Sequence, residues 1–218
     1  MMRTYKELVN GVLTRLREDA VATVAAGDAY VQIVADYVND AKRTVEDAWR
    51  WNGLRRVVEF TTVEGQQDYS LTDSGNYAII DTVLNTTTTG YLGNQTLKAM
   101  RYRDAVYDGT SSYPTTYALN GIDGNGDVKL RLSPVPIAGQ AIQVDLWQRT
   151  PDFTSDDDVL VIPDKPVLYH ALALAASERG EVGGLTSAEL SQVARRYLSD
   201  AIALDANMNP ADLIWYTE

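Results

Sequence analysis

The sequence predicts an α+β protein, a discontinuous four-helix domain into which an antiparallel β-sandwich or small barrel is inserted. Three observations predict it. Apolar residues recur at helical spacing near both ends of the chain, and between them the period shortens to two with frequent turn residues. The helical stripes on either side of that segment also need one another to be buried. The expected boundaries are 1–55 and 164–206 for the helical domain, 56–163 for the β domain and 207–218 for a C-terminal tail.

Tyr5, Leu8, Val9, Val12, Leu13 and Leu16 make the stripe of a first helix, and Ala20–Gly27 is a loop or frayed end. Asp28 is placed to cap a second helix lined by Val31, Val34, Val38, Ala41, Val45 and Ala48. Trp49 and Trp51 close it at Asn52-Gly53. Val58, Phe60 and Thr62 then alternate with polar neighbours, and strands are expected over Gln67–Leu71 and Tyr77–Leu84. Thr86–Gly90 is a hairpin tip, 101–107 a short helical turn, and Gly121–Asp127 joins two hairpin strands. Ile142, Val144 and Leu146 mark a further strand. Asp164 can cap an all-round apolar helix over Val167–Ala176, which Gly180, Gly183 and Gly184 end. Thr186 with Glu189 forms a capping box, followed by the stripe Leu190, Ala194, Tyr197, Ala201 and Leu204. Asn209-Pro210 stops that last helix.

With 45 % hydrophobic residues in 218, there is apolar material for a core. No apolar run reaches the roughly 18 residues of a spanning helix, and Met1–Lys6 lacks the apolar stretch of a secretory signal. The protein is therefore expected to be soluble and intracellular, with no membrane partner. The formal charge is −11: residues 1–56 carry +1, 57–163 carry −8 and 164–218 carry −4. An excess of acid in the middle segment repels phosphate and argues against tight nucleic-acid binding, and it also serves solubility.

Catalytic groups are scarce. His170, the single histidine, lies inside the apolar helix and reads as a core or interface residue rather than a base. Cysteine is absent, so thiolate zinc sites and disulfides have no material. Asp123-Gly124-Asn125-Gly126-Asp127 resembles the first half of a calcium loop, but Val128 and Pro134 stand where glycine and glutamate are required, so it reads as a tight turn. Asp156-Asp157-Asp158 reads as a solvated acidic run. No catalytic, cofactor-binding or metal-binding residue is assigned, and no cofactor or enzymatic activity is expected. The one candidate site is the apolar tail, Leu213, Ile214, Trp215 and Tyr216. It folds onto the protein's own core or anchors another subunit, since Trp and Tyr carry much interface energy.

Several phrases, in order, resemble the head-to-tail connector (adaptor) proteins of tailed bacteriophages, of the tail tubular protein A type. They are Glu59–Leu71 (EFTTVEGQQDYSL) after a Trp-ending helix, Leu130–Pro136 (LRLSPVP), Ile142–Trp147 (IQVDLW), and Val161-Ile162-Pro163 before the Ala-rich helix. The resemblance implies a non-enzymatic virion protein at the head–tail interface, made in the host cytoplasm. It implies a homo-oligomeric ring, commonly of twelve copies, docked on the portal protein and joined to a downstream tail or neck protein. Double-stranded DNA would pass through the ring without specific binding. The helical part would form the wall, the β part would project, and the C-terminal residues 213–216 would grip the portal. The alternative is another virion or tail structural protein, or a carbohydrate-binding module using Tyr91, Tyr102, Tyr107, Tyr113 and Tyr117 of the β segment for stacking. An enzyme built on Asp156–Asp158 is the weakest alternative.

Overall fold

The computed structural model describes residues 2–106, 111–180 and 186–208. In chain order, helices α1 (Tyr5–Arg15) and α2 (Ala29–Ala48) precede strands β1 (Arg55–Thr61), β2 (Asp68–Ser70), β3 (Ile79–Asn85), β4 (Gly90–Tyr91) and β5 (Gly93–Asn94). Helix α3 (Leu97–Val106) and strands β6 (Thr116–Ile122), β7 (Val128–Ser133) and β8 (Ala141–Trp147) follow, then α4 (Asp164–Arg179) and α5 (Ser187–Ala206). The protein is α+β, as its periodicity predicts. It divides into two compact units, Met1–Leu54 with Thr150–Glu218, and Arg55–Arg149.

In the helical unit, α4 packs against α1, α2 and α5. The whole predicted stripe of α1 is buried, from Tyr5 to Leu16. Thr4 and Glu7 close a capping box on it, and Asp28 caps α2 by accepting from the Val31 amide at 2.9 Å. Helix α4 is buried nearly all round, at Val167, Leu168, Ala171, Leu172, Ala173, Ala175 and Ala176. Three expectations need correction. Pro163 holds the N-cap position of α4, and Asp164, its first residue, pairs with Arg3 at 2.7 Å instead of capping. Ala48 is exposed, and Leu204 is 68 % exposed, because the buried face of α5 runs through Leu190, Ala194 and Ala201 only.

Residues 150–163, expected with the strands, cluster with the helices. They run as an extended strap held by side chains of α2. Asn39 donates to the Phe153 carbonyl at 3.2 Å and accepts from the Phe153 amide at 2.9 Å. Lys42 donates to the Thr150 and Pro151 carbonyls at 2.8 and 2.9 Å, and Arg43 holds Asp152. Farther on, the Tyr5 amide donates to the Asp158 carbonyl at 2.8 Å and the Leu160 amide to the Arg3 carbonyl at 3.0 Å. The strap also explains Gly53: a Cβ there would lie 2.4 Å from the Val161 carbonyl oxygen, so only glycine allows this approach.

The β unit is a sandwich of two four-stranded sheets, ordered β1-β8-β3-β4 and β2-β7-β6-β5. The strict alternation of β8 puts Ile142, Val144 and Leu146 inside, opposite Leu130 and Leu132 of β7, Tyr117 of β6 and Tyr69 of β2 in one core. Strands β6 and β7 form the predicted hairpin, with a register shift between Leu119 and Ile122. At the β3–β4 tip, buried Asn85 accepts from the Thr87 and Thr88 amides at 3.0 and 3.2 Å, which fixes the turn. The expected short turn at 101–107 is the longer helix α3, which buries Met100.

Regrouping the charges by compact unit reverses the sequence-based apportionment. The helical unit carries eleven Lys/Arg against twenty Asp/Glu, a net of −9, and the β unit eight against ten, a net of −2. Arg55 and Arg56 belong with the strands, and Asp152, Asp156, Asp157 and Asp158 with the helices. The acidic part of the protein is helical.

Candidate functional site

The turn Asp123–Asp127 has its carboxylates committed to backbone amides. Asp123 Oδ1 accepts from the Asn125 and Asp127 amides at 2.8 and 2.9 Å, and Asp127 accepts from the Asp73 and Gly75 amides at 3.0 and 2.9 Å. Ser74 adds a bond from the Val128 amide at 3.0 Å. Two loops of the sandwich are thus clamped together. The Asp127 amide, and then the Ser70 hydroxyl, hold the Asp123 carboxyl below its ordinary pKa. This is the chemistry of a turn lock.

In the acidic run 156–158, Asp156 and Asp158 are structural, while Asp157 is exposed as the sequence reading expects. Asp156 accepts from the Val24 amide at 3.0 Å, and Asp158 from the Thr154 and Ser155 amides, both at 2.8 Å. Those amides lower both carboxyls. Burial first, and then the negative charge of Asp36, Asp156, Asp152 and Asp158, push the Tyr5 phenol up to about 12.

His170 is half-buried on α4, and burial, then the positive charge of Arg195 on α5, keep its pKa below the ordinary value. Among the described residues, no group of three or more His, Cys, Asp or Glu could hold a metal ion. No helix among them is long and apolar enough to cross a membrane.

Two polar networks, one buried and one partly exposed, lie outside the periodic pattern. Lys42 and Glu46 form an ion pair at 3.3 Å with both side chains fully buried. Their i, i+4 spacing reads as an exposed helix pair, so periodicity gave no cue. In the β unit, Arg131 pairs with Asp68 at 3.1 Å and with Asp104 of α3 at 3.2 Å, and it also bonds Gln67. Asp104 accepts from the Ser133 hydroxyl at 2.9 Å, tying α3 to its sheet.

The tyrosines considered for stacking do not share one environment. Tyr91 and Tyr102 are each 74 % exposed and Tyr113 is exposed, but Tyr117 is buried in the sandwich core. Tyr107 lies outside the described residues. So do Leu213, Ile214, Trp215 and Tyr216 of the tail, as well as Gly183, Gly184 and Asn209-Pro210.

The side chains described above hold the fold together, and the architecture is that of a two-unit α+β protein. The SU10 adaptor protein family model matches residues 3–213, and the chain belongs to that family. It is a phage structural adaptor, a virion component that interacts with other phage structural proteins. No curated protein matches the chain.

Proposed function

We propose that this chain is one subunit of a head–tail connector ring that docks on the portal and joins the capsid to the tail, lining part of the DNA channel. The family match over residues 3–213 is the observation that carries the reading. The helical domain forms the ring wall. The C-terminal residues Leu213, Ile214, Trp215 and Tyr216 are the contact with the portal. The protein has no catalytic role, consistent with carboxylates committed to backbone amides at Asp123, Asp127, Asp156 and Asp158.

The charge distribution supports the channel reading. A net of −9 on the helical unit gives a wall that repels phosphate, so duplex DNA passes without adhering. A ring of twelve copies would carry roughly 130 net negative charges. Gel retardation with duplex DNA at physiological salt tests this, and no retardation is expected. Tight, salt-sensitive binding would contradict an inert channel.

A further inference from the structure

Four strands form the sheet edges of the sandwich, and they are not alike. Strands β4, β5 and β2 have two, two and three residues. Strand β1, Arg55–Thr61, runs for seven residues in an unbroken ladder with β8, and no strand among the described residues pairs with its other side. It contains no proline, lysine or bulge, and of the devices that keep an exposed edge from pairing it carries only charge, at Arg55, Arg56 and Glu59. The opposite side of this sheet is protected, since β3 carries a register shift between Ile80 and Thr82.

The direction of the free backbone groups follows from the ladder. The Thr62 amide donates to the Gln140 carbonyl at 2.9 Å, so Phe60, Val58 and Arg56 also face β8. Arg55, Val57, Glu59 and Thr61 therefore point their N–H and C=O groups outward. Their side chains are exposed as well, Val57 by 48 %.

The geometry points to a second copy of this chain as the occupant, with its β1 added antiparallel to this one. The registers open to the outward-facing residues differ in charge. A pairing centred on Val57 sets Arg55, which also holds Asp81 of its own sheet at 2.7 Å, opposite Glu59 of the other copy on both sides of the axis, with Val57 against Val57. A pairing centred on Val58 sets Val57 against Glu59, and one centred on Glu59 sets like charges together. Opposite-charge and β-branched cross-strand pairs stabilise a ladder, and directly opposed like charges destabilise it. The strand is thus complementary to itself in one register. Such an isologous contact closes at two copies, whereas ring contacts are head-to-tail. The contact therefore goes beyond the connector reading and belongs to the free protein before assembly.

The absence of native cysteine gives a clean test. Val57→Cys in the full chain should form an intermolecular disulfide under mild oxidation, much faster than Tyr91→Cys at the protected edge. Glu59→Pro removes only an outward N–H, so it should keep the native circular dichroism spectrum while the sedimentation mass falls from two chains to one. Glu59→Arg should do the same by charge. A wild-type monomer at every concentration would overturn the proposal. So would a dimer that survives both Glu59 variants, or equal cross-linking at Val57→Cys and Tyr91→Cys. None of these outcomes bears on portal binding, which is measured separately.

Discussion

Lys42 Nζ lies 3.3 Å from Glu46 Oε1, and neither side chain reaches the surface. The ammonium also donates to the carbonyls of Thr150 and Pro151 and sits 5.2 Å from the Phe153 ring centroid. Thr150 returns a hydroxyl bond to Glu46 Oε1 at 2.6 Å, while Glu46 Oε2 is buried without a partner. One charged pair on α2 therefore fixes the start of the strap.

Removing one member strands the other. Lys42→Met should destabilise the protein by about 3–5 kcal/mol in urea titration, whereas the double variant Lys42→Met, Glu46→Leu should recover much of that loss. Burial lowers the Lys42 pKa despite the opposing pull of Glu46. Between that lowered value and the ordinary 10.5 the unfolded chain binds more protons, so this group makes stability rise with pH there.

Tyr5 acts in the opposite sense. Its phenol, at about 12, keeps its proton in the folded state after the unfolded chain has lost it near 10.0. Stability should fall between those values, by roughly 2–3 kcal/mol at about 1.4 kcal/mol per pKa unit. Tyr5→Phe should flatten that part of the alkaline unfolding curve.

The turn lock predicts a cost without a ligand. Asp127→Ala deprives the Asp73 and Gly75 amides of their acceptor and should cost about 1–3 kcal/mol in chemical denaturation. Added calcium should leave the wild-type Tm unchanged. A calcium-dependent rise that Asp127→Ala abolishes would restore the cation reading.

Gly53→Ala should destabilise by about 1–3 kcal/mol or more, since the new methyl meets the Val161 carbonyl at 2.4 Å. Thermal melting measures it. An unchanged Tm would mean the strap does not pass so close.

What was legible in the sequence follows the strength of its period. The stripe of α1 and the alternation of β8 are legible residue by residue, because one face of each is buried and the other is not. The strap 150–163 has no period. Its place depends on Asn39, Lys42 and Arg43, polar residues that a stripe analysis assigns to solvent. Grouped with the helices, the strap takes four aspartates with it, and the β unit is then close to neutral. Leu204 shows the converse error, an apolar residue at the right spacing beyond the reach of its neighbours. The candidate tail was legible only as composition, and Leu213–Tyr216 lie outside the described residues.

The tail reading has its own test. Alanine at Leu213, Ile214, Trp215 and Tyr216 should leave thermal stability unchanged and weaken portal binding by on the order of 2–4 kcal/mol or more. A lowered Tm with binding intact would assign these residues to the protein's own core.

The connector role is tested most directly by native mass spectrometry of the full chain mixed with the portal of its own phage. The account predicts a portal-bound ring of this chain, with one mass step per copy up to a closed number. A chain that never joins the portal ring at any ratio would contradict it.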